Sequence, residues 1–293
     1  MSDTLDLFAG PGGWGKHQGI EVDEDVVATR RSAGLPTIQA DVFRIHPAAL
    51  LSAVRGIVAS APCPPFSTGG PAAGRDDIEL VLELMAQMAA GSEDSRRSFR
   101  DRMSDPRSVL SAEPLRWVLH HQPEWTAWEQ VPGAMPLWEY AADVLGDAGY
   151  NVWVGLLDAA NHGTAQNRKR AILMAHKTKL VSAPEPQAPV VMRDVLDTDL
   201  PDDAVLQMGR SRGTRRTLDQ PAPTVMFGKS PSGVGWYRPD GSEIRPISLG
   251  EALVLQGFPA DYPLQGGKVN RFRQVGDAVP RPLADAIISR LES

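Results

Sequence analysis

Leu5-Asp-Leu-Phe8 followed at once by Ala9-Gly-Pro-Gly-Gly-Trp-Gly15 gives the chain an apolar run that ends in a glycine-rich turn. The spacing of Gly10, Gly12 and Gly15 satisfies G-x-G-x-x-G, a pattern in which glycines let the backbone turn tightly against a nucleotide-like ligand. Glycine-rich turns are common, so this pattern alone indicates a nucleotide site only weakly. Its position directly after a strand is what favours that interpretation.

A second apolar run, Gly19 to Val22, begins soon after this turn and carries Glu21. An acidic residue at the end of the second strand of a doubly wound sheet commonly binds ribose hydroxyls. The acids behind it, Asp23 and Asp25, have a simpler explanation as the cap of a helix that runs through Arg31. The connection between the two strands is about ten residues, near the minimum for a parallel crossover. We therefore expect a first helix of one or two turns at most.

Strands and helices alternate from here to residue 176, which predicts a doubly wound, mostly parallel α/β sheet. The apolar residues of 78–89 recur at i, i+3, i+4 and i+7, as in an amphipathic helix. Further strands are predicted at Thr37 to Ala40, Ile57 to Ala61, Trp125 to Val131, Val152 to Leu157 and Ala171 to Ala175, with helices at 109–121 and 137–148.

Two stretches break this alternation. Residues 91–108 are polar and rich in arginine, and we expect a solvated excursion there rather than a phosphate-binding arm. From Ser182 to Pro246 prolines and glycines are dense, which predicts a small loop-rich region. Ser248 and Glu251 then match a capping box at the start of a helix. The helix after Pro280 carries an apolar stripe that we expect to pack on the first domain. The predicted domains are 1–176 with 255–293, and 177–254.

Composition excludes several classes of protein. The 293 residues carry 30 basic and 36 acidic side chains, a net charge of −6, so a nucleic-acid partner would need a local basic patch. A single cysteine rules out an internal disulfide and a multi-cysteine zinc site, and we expect no metal. No apolar run approaches the ~18 residues that cross a bilayer, and the first residues have no signal-peptide character. We expect a soluble, intracellular protein.

The only cysteine lies in Ser60-Ala-Pro-Cys-Pro-Pro-Phe-Ser67, where a predicted strand ends and a loop begins. A lone cysteine is usually a small core hydrophobe. Prolines on both sides of Cys63 restrict the backbone and remove donors, which stiffens the presentation of the thiol. Reactive groups collect at the carboxyl ends of strands in α/β proteins. The residues alone leave both interpretations open.

Seven motifs in order resemble the cytosine-C5 methyltransferases, over nearly the whole chain. The most specific are the prolyl-cysteinyl motif and the Gln-x-Arg-x-Arg motif. The matches are Asp6-Leu-Phe-Ala-Gly-Pro-Gly-Gly13, Glu21, Asp41, Pro62-Cys-Pro-Pro-Phe-Ser67, Glu129-Gln-Val131, Gln166-Asn-Arg-Lys-Arg170 and Gly276-Asp-Ala-Val-Pro280.

The resemblance implies a catalytic role for four residues. Cys63 would add as a thiolate to C6 of a cytosine flipped out of the DNA helix, which makes C5 nucleophilic. Glu129 would protonate or hydrogen-bond N3 of that base. Arg168 would contact O2 of the base, and Arg170 would support the acid. Without the resemblance, the simpler interpretation of Glu129 is a surface acid at the end of a strand. Arg168 and Arg170 would likewise be solvated basic residues at the end of a strand.

The resemblance also implies S-adenosylmethionine as cofactor and double-stranded DNA as substrate. With such a substrate we expect a cytoplasmic, nucleoid-associated monomer. Residues 177 to about 250 would recognise the target, and Ser67 to Asp77 would close over the flipped base. Plausible phosphate or guanine contacts are Arg210, Arg212, Arg215 and Arg216. The expected cofactor-binding residues are Phe8, Gly10, Gly12, Glu21, Val22, Asp41, Pro62, Asp277 and Ala278, with the rest of the Gly276 to Val279 turn.

The chain departs from the family's pattern at several points. Pro64 stands where many members have Gln, Gln130 where most have Asn, and Asp277 where Asn is usual, which puts a carboxylate near the charged end of the cofactor. The first helix and the recognition region are both short. The short recognition region keeps open the same chemistry on tRNA, and the short first helix keeps open a catalytically silent binder. More remotely, the glycine pattern alone would also suit a nicotinamide dehydrogenase.

Overall fold

The computed structural model describes residues 3–50, 53–62, 66, 76–92, 95–197, 199–209, 214–227 and 233–292. Within these ranges the chain forms two β-sheets with helices packed around them. No helix of the described residues is long and apolar enough to cross a membrane.

The larger sheet has seven strands in the order β3-β2-β1-β4-β5-β7-β6. Its first five strands are parallel, and β7 runs antiparallel to both β5 and β6. This is the predicted doubly wound, mostly parallel sheet. The strands are β1 (Thr4–Leu7), β2 (Gln18–Glu21), β3 (Thr37–Gln39), β4 (Gly56–Ala59), β5 (Trp125–Gln130), β6 (Asn151–Asp158) and β7 (Lys169–His176).

Helices cover both faces of this sheet because successive side chains of a strand point to opposite faces. On β4, Ile57 and Ala59 join the core beneath the helices of one face, whereas Val58 joins the core under the terminal helix on the other. The helices are α1 (Glu24–Ser32), α2 (Ile78–Ala89), α3 (Arg96–Arg102), α4 (Glu113–His121), α5 (Met135–Asp147), α6 (Met192–Val195), α7 (Leu249–Leu255), α8 (Lys268–Asp277) and α9 (Arg281–Glu292).

The terminal helix α9 packs where it was expected to pack. Its buried Leu283, Ile287 and Leu291 share a core with Trp125 of β5 and Ile172 of β7. The Ser248–Glu251 capping box is also present, since the Ser248 hydroxyl accepts from the Glu251 amide and the Glu251 carboxylate accepts from the Ser248 amide.

The crossover from β1 to β2 differs from the expectation. Residues 8–17, all of which the structure describes, form turns and contain no helix. The fully buried side chain of Arg30 reaches back from α1 into this region. Its guanidinium donates to the carbonyls of Ala9 and His17 at 3.0 and 3.1 Å, so that one side chain holds both arms of the crossover. The expected short first helix is therefore wrong, because the connection is stabilised from the next helix.

The arginine-rich segment is likewise more ordered than expected. The structure contains α3 there, with Phe99 buried in the main core. Arg96 donates to the Phe43 carbonyl at 2.8 Å and to buried Glu113 at 2.9 Å, and Arg100 stacks on the Phe43 ring. The expected solvated excursion is wrong because these arginines have partners that lie far away in sequence.

The smaller sheet has four antiparallel strands in the order β11-β10-β8-β9 and lies within residues 177–254. Buried Leu206 and Trp236 of this sheet share a core with Leu253 of α7 and Phe272 of α8. The proposed boundaries of the two domains stay a prediction. The strands are β8 (Val205–Met208), β9 (Thr214–Thr217), β10 (Gly235–Tyr237) and β11 (Glu243–Pro246).

Candidate active site

A cavity of about 310 Å³ opens at the carboxyl ends of β1, β2, β4 and β5. These four strands are parallel, so their ends meet at one edge of the sheet, where α/β proteins bind ligands. Of the predicted site residues that the structure describes, all but Gly12 line this cavity. Those that do are Phe8, Gly10, Glu21, Val22, Asp41, Pro62, Glu129, Arg168, Arg170, Asp277 and Ala278.

The glycine-rich turn forms one wall of the cavity. Phe8, at φ +59°, has a left-handed backbone that is uncommon outside glycine, and it turns the chain away from β1. Gly13 lines the cavity, and a Cβ there would stand 2.3 Å from the Val279 carbonyl, so a side chain does not fit. Gly12 does not line the cavity, and a Cβ there would meet Leu35 at 2.3 Å. Gly12 therefore serves the packing of the turn against Leu35, which follows α1.

Glu21 is held rigidly at the end of β2. Its Oε1 accepts from the Val22 and Asp23 amides at 2.7 and 2.9 Å, and its Oε2 accepts from the Gly10 amide at 3.0 Å. These bonds tie β2 to the glycine-rich turn and fix the orientation of the carboxylate. A fixed carboxylate with remaining acceptor capacity suits a pair of ribose hydroxyls.

Asp41 follows β3 and completes the polar side of this part of the cavity. Its Oδ1 accepts from the Phe43 amide at 2.9 Å, and its Oδ2 lies 3.4 Å from Arg44. Val22, 61% exposed, presents an apolar surface to the open cavity. Apolar walls with a few fixed polar groups are typical of cofactor sites.

Glu129 and Arg170 form a buried ion pair at the other end of the site. Glu129 Oε1 lies 2.8 Å from Arg170 Nε, and both side chains are less than a tenth exposed. The two meet because β5 and β7 are antiparallel neighbours, with Glu129 opposite Ile172 in the register. The guanidinium also donates to the Lys169 carbonyl at 2.8 Å. A carboxyl group is thus presented to the cavity in a fixed position.

Arg168 joins the large sheet to the end of the chain. Its amide donates to Asp158 Oδ1 at 2.8 Å, and its guanidinium donates to the carbonyls of Ala278 at 3.2 Å and Val225 at 3.5 Å. The side chain is buried and lines the cavity. Residues from three distant parts of the sequence therefore meet at this one arginine.

Cys63, Pro64 and the predicted closing loop through Arg75 lie outside the described residues, as do Arg210 and Arg212. Pro62 before Cys63 and Phe66 after it are described. Pro62 lines the cavity, and Phe66 is buried with its carbonyl 2.8 Å from where a Cβ of Gly133 would stand.

Gln130, one of the departures from the family's pattern, holds the loop that leads to Pro62. Its Nε2 donates to the Ala61 carbonyl at 2.9 Å, and its Oε1 accepts from the Val131 amide at 2.8 Å. The side chain is fully buried. The side chain of glutamine is long enough to reach the Ala61 carbonyl from β5. The only sequence signal for this contact was the position of Gln130 beside Glu129 in the motif.

Asp277 ends α8 at the cavity wall. Burial raises the pKa of this carboxyl, whereas the guanidinium groups of Arg168, Arg273 and Arg170 lower it. The side chain is exposed because solvent reaches it through the cavity, yet enough protein surrounds it to raise its pKa.

Several residues of the site carry no sequence signal. The Trp14 indole donates to the Ser60 hydroxyl at 2.8 Å, and both residues line the cavity. Arg107 lines it from the arginine-rich segment and is fixed by Asp105 at 2.6 Å. Only the folding of that segment against the sheet brings Arg107 here.

The predicted recognition arginines that are described lie on β9. Arg215 donates to Gln207 at 2.7 Å and stacks on Tyr237, and Arg216 is partly buried. In the described part of the chain, no group of three or more His, Cys, Asp or Glu side chains could hold a metal ion.

A sequence model described as C-5 cytosine-specific DNA methylase matches residues 92–204 and 192–293, which is more than half of the chain. The chain belongs to the C-5 cytosine-specific DNA methylase family. It is accordingly a DNA cytosine-5-methyltransferase. The matched residues include Glu129, Arg168, Arg170 and Asp277, whereas the glycine-rich turn and Cys63 precede them.

Relatives of this methylase extend the likeness to the whole chain. The type II methyltransferase M.HgiDI of Herpetosiphon aurantiacus is 24% identical, over 99% of this chain and 94% of its own length. The type II methyltransferase M.AplI of Arthrospira platensis is 25% identical, over 97% of this chain and 84% of its own length.

Solved structures confirm the methylase fold. A mutant form of Spodoptera frugiperda DNMT2 superposes with a TM-score of 0.67 at 13% identity, and each chain covers 99% of the other. The S. pombe Dnmt2 methyltransferase superposes with a TM-score of 0.64 at 15% identity, over 98% of this chain and 97% of its own.

Proposed function

We propose that this methylase transfers the methyl group of S-adenosylmethionine to C5 of cytosine in double-stranded DNA, through a covalent bond between Cys63 and C6 of a flipped base. The observation that carries the proposal is the single cavity lined by Glu21 and Asp41 at one end and by Pro62, Glu129 and Arg168 at the other. A donor site and a base site that share one cavity are what direct methyl transfer requires.

The residues of the first end fit the proposed cofactor. Glu21 would hold the ribose hydroxyls, Val22 would lie beside the adenine, and Asp41 would accept from the adenine amino group. Phe8 and Gly10 would border the amino-acid portion. When bound, S-adenosylmethionine supplies an electrophilic methyl group on a positively charged sulfur.

Cys63 would supply the nucleophile. Its thiolate adds to C6, the electrons of the C5–C6 double bond become available at C5, and C5 takes the methyl group. Loss of the C5 proton and cleavage of the Sγ–C6 bond then restore the double bond and the thiolate. Arg168, which lines the cavity, would favour the thiolate over the thiol, because a neighbouring cation lowers the pKa of a cysteine.

Glu129 would interact with N3 of the base, where electron density builds up after the thiolate adds. The ion pair with Arg170 at 2.8 Å holds the carboxyl in the cavity wall, so little reorganisation is needed when the base arrives. Arg168 would donate to O2 of the base. Both contacts stabilise charge that develops in the addition step.

The names of the two relatives, both type II methyltransferases, support a modification role within a restriction–modification system. In that role the small sheet and the loops around it would read the DNA site. Arg215 and Arg216 on β9 are the described candidates for phosphate or base contacts.

The test uses the full-length protein with S-adenosylmethionine labelled on its methyl group. Mixed-sequence plasmid DNA and tRNA are incubated separately and digested to nucleosides. We expect labelled 5-methylcytosine from DNA and none from tRNA. Folded, cofactor-binding protein that yields no 5-methylcytosine from DNA would contradict the proposal, and label in tRNA alone would favour the alternative substrate.

The covalent step has its own test. The Cys63→Ser variant should lose turnover but keep cofactor affinity, because Cys63 acts on the base. A substrate with 5-fluorocytosine should trap the wild-type protein on DNA, since fluorine at C5 cannot leave as a proton does. Turnover retained by the serine variant would remove Cys63 from the mechanism.

A further inference from the structure

The position of Asp277 disfavours a negatively charged side chain. It is the last residue of α8, and the carboxyl end of a helix carries partial negative charge that disfavours a carboxylate. Burial adds to this penalty and raises the pKa of the group. Among the residues that the structure describes, none donates a hydrogen bond to the Asp277 side chain. The folded protein therefore leaves this carboxylate open to the cavity, with no hydrogen-bond donor from the described residues.

The arginines around Asp277 have their own partners. Arg170 pairs with Glu129 at 2.8 Å, and Arg273 pairs with Asp23 at 2.6 Å. Arg168 donates to the Ala278 carbonyl at 3.2 Å. These arginines stabilise the ionised form of Asp277 from a distance, and none of them forms an ion pair with it in the described structure.

The same neighbours locate Asp277 within the cavity. Asp277 directly precedes Ala278, whose carbonyl accepts from Arg168 at 3.2 Å, and both residues line the cavity together with Arg168 and Glu129. In the proposed function the base and the donor meet at this end, so the methyl group would be transferred there. The sulfur of the donor would then lie near the Asp277 carboxylate.

We propose that Asp277 discriminates by charge between the methyl donor and its product. This inference rests on the proposed cofactor. When the methyl group leaves, the electron pair of the S–CH₃ bond stays on sulfur, and a positively charged sulfonium becomes a neutral thioether. A carboxylate beside the sulfur attracts the first and has no comparable attraction for the second. Asp277 therefore favours binding of the donor and release of the product.

The test compares three ligands that share the adenosyl and amino-acid groups. S-adenosylmethionine carries a positive charge at sulfur, S-adenosylhomocysteine is neutral there, and sinefungin carries an ammonium at that position. Calorimetric titration of the Asp277→Asn variant should show the two charged ligands weakened on the order of tenfold and S-adenosylhomocysteine almost unchanged. Asp285→Asn, an exposed acid on α9, is the matched control and should change none of the three affinities.

Two further outcomes separate the possible failures. Equal weakening of all three ligands, or no change in any, would overturn the inference, because Asp277 would then bind a shared group or serve the fold. The Asp277→Glu variant keeps the charge and should keep the preference for charged ligands. If the folded wild-type protein binds none of the three, the proposed cofactor is wrong and the inference falls with it.

Discussion

Replacement of Arg30 by Met should strongly destabilise this methylase, because Arg30 holds the glycine-rich turn. The guanidinium is fully buried, lies 3.4 Å from the equally buried Asp6, and donates to carbonyls on both arms of the β1–β2 crossover. Removal of one member of a buried ion pair costs about 3–5 kcal/mol, mainly because the other charge is left without a partner.

The cost should depend on pH in a direction that Asp6 sets. Burial raises the pKa of Asp6 to about 7, while Arg30 lowers it. Without Arg30 that pKa rises further, so the folded variant binds a proton that the unfolded chain releases above about pH 4. The free energy of unfolding of Arg30→Met then falls as pH rises. We expect a loss of about 3–5 kcal/mol at pH 8. At pH 5, where Asp6 is protonated, only the unpaired carbonyls remain, at about 1–3 kcal/mol.

Urea unfolding at pH 5, 6.5 and 8 measures these losses. The double variant Arg30→Met with Asp6→Asn should lose about 1–3 kcal/mol at every pH, since no carboxylate remains to be stranded. Arg31→Met, an exposed arginine on the same helix, should stay within about 0.5 kcal/mol of the wild type. A pH-independent loss below about 1 kcal/mol for Arg30→Met would refute the argument that this side chain replaces a helix in the crossover.

Three other predictions test the site and the sheet. Glu129→Gln should lower the rate of methyl transfer about 10²–10⁴-fold with little change in cofactor affinity. Single-turnover kinetics measures this rate, with the exposed Glu139→Gln on α5 as the control that should keep it. An unchanged rate for Glu129→Gln would exclude Glu129 from the chemistry. Gln130→Leu should lower the free energy of unfolding by about 1–3 kcal/mol, because the Ala61 carbonyl and Val131 amide lose a buried partner. Thermal unfolding measures this loss and should show none for the control Gln39→Leu, whose glutamine is exposed. Burial lowers the pKa of His176, so the contribution of its neutral form to stability is lost as pH falls below about 6.5. The difference in unfolding free energy between wild type and His176→Asn should therefore shrink from pH 7.5 to pH 5.5. A constant difference would contradict this prediction.

Local patterns were the most reliable part of the sequence analysis. The helix over Ile78–Ala89 follows from its 3.6-residue apolar period, and the Ser248–Glu251 capping box forms between residues three apart. Most of the described motif residues line one cavity, since strand ends of one parallel sheet share an edge, and their roles stay predictions. In these cases the interacting residues are close in sequence or are placed together by the sheet itself.

The arginine-rich segment and the small sheet could not be predicted from the same signals. A run of charged residues looks solvated until its partners are known, and those of Arg96 lie on other elements. Strands β9 and β11 carry mostly exposed polar residues, so they lack the alternation that marks a strand with one buried face. Their existence depends on pairing with β8 and β10.

The sequence alone determined the order of strands along the chain, the position of Glu129 near a strand end and the identity of Asp277. The tertiary structure decided which charges meet. Arg30 lies 24 residues from Asp6 in sequence, and Asp277 lies more than a hundred residues from Arg168. Folding nevertheless brings the members of each pair close enough for their charges to interact. The physical reason is that a buried charge takes its energy from whatever surrounds it in space, and no local pattern of residues contains that information.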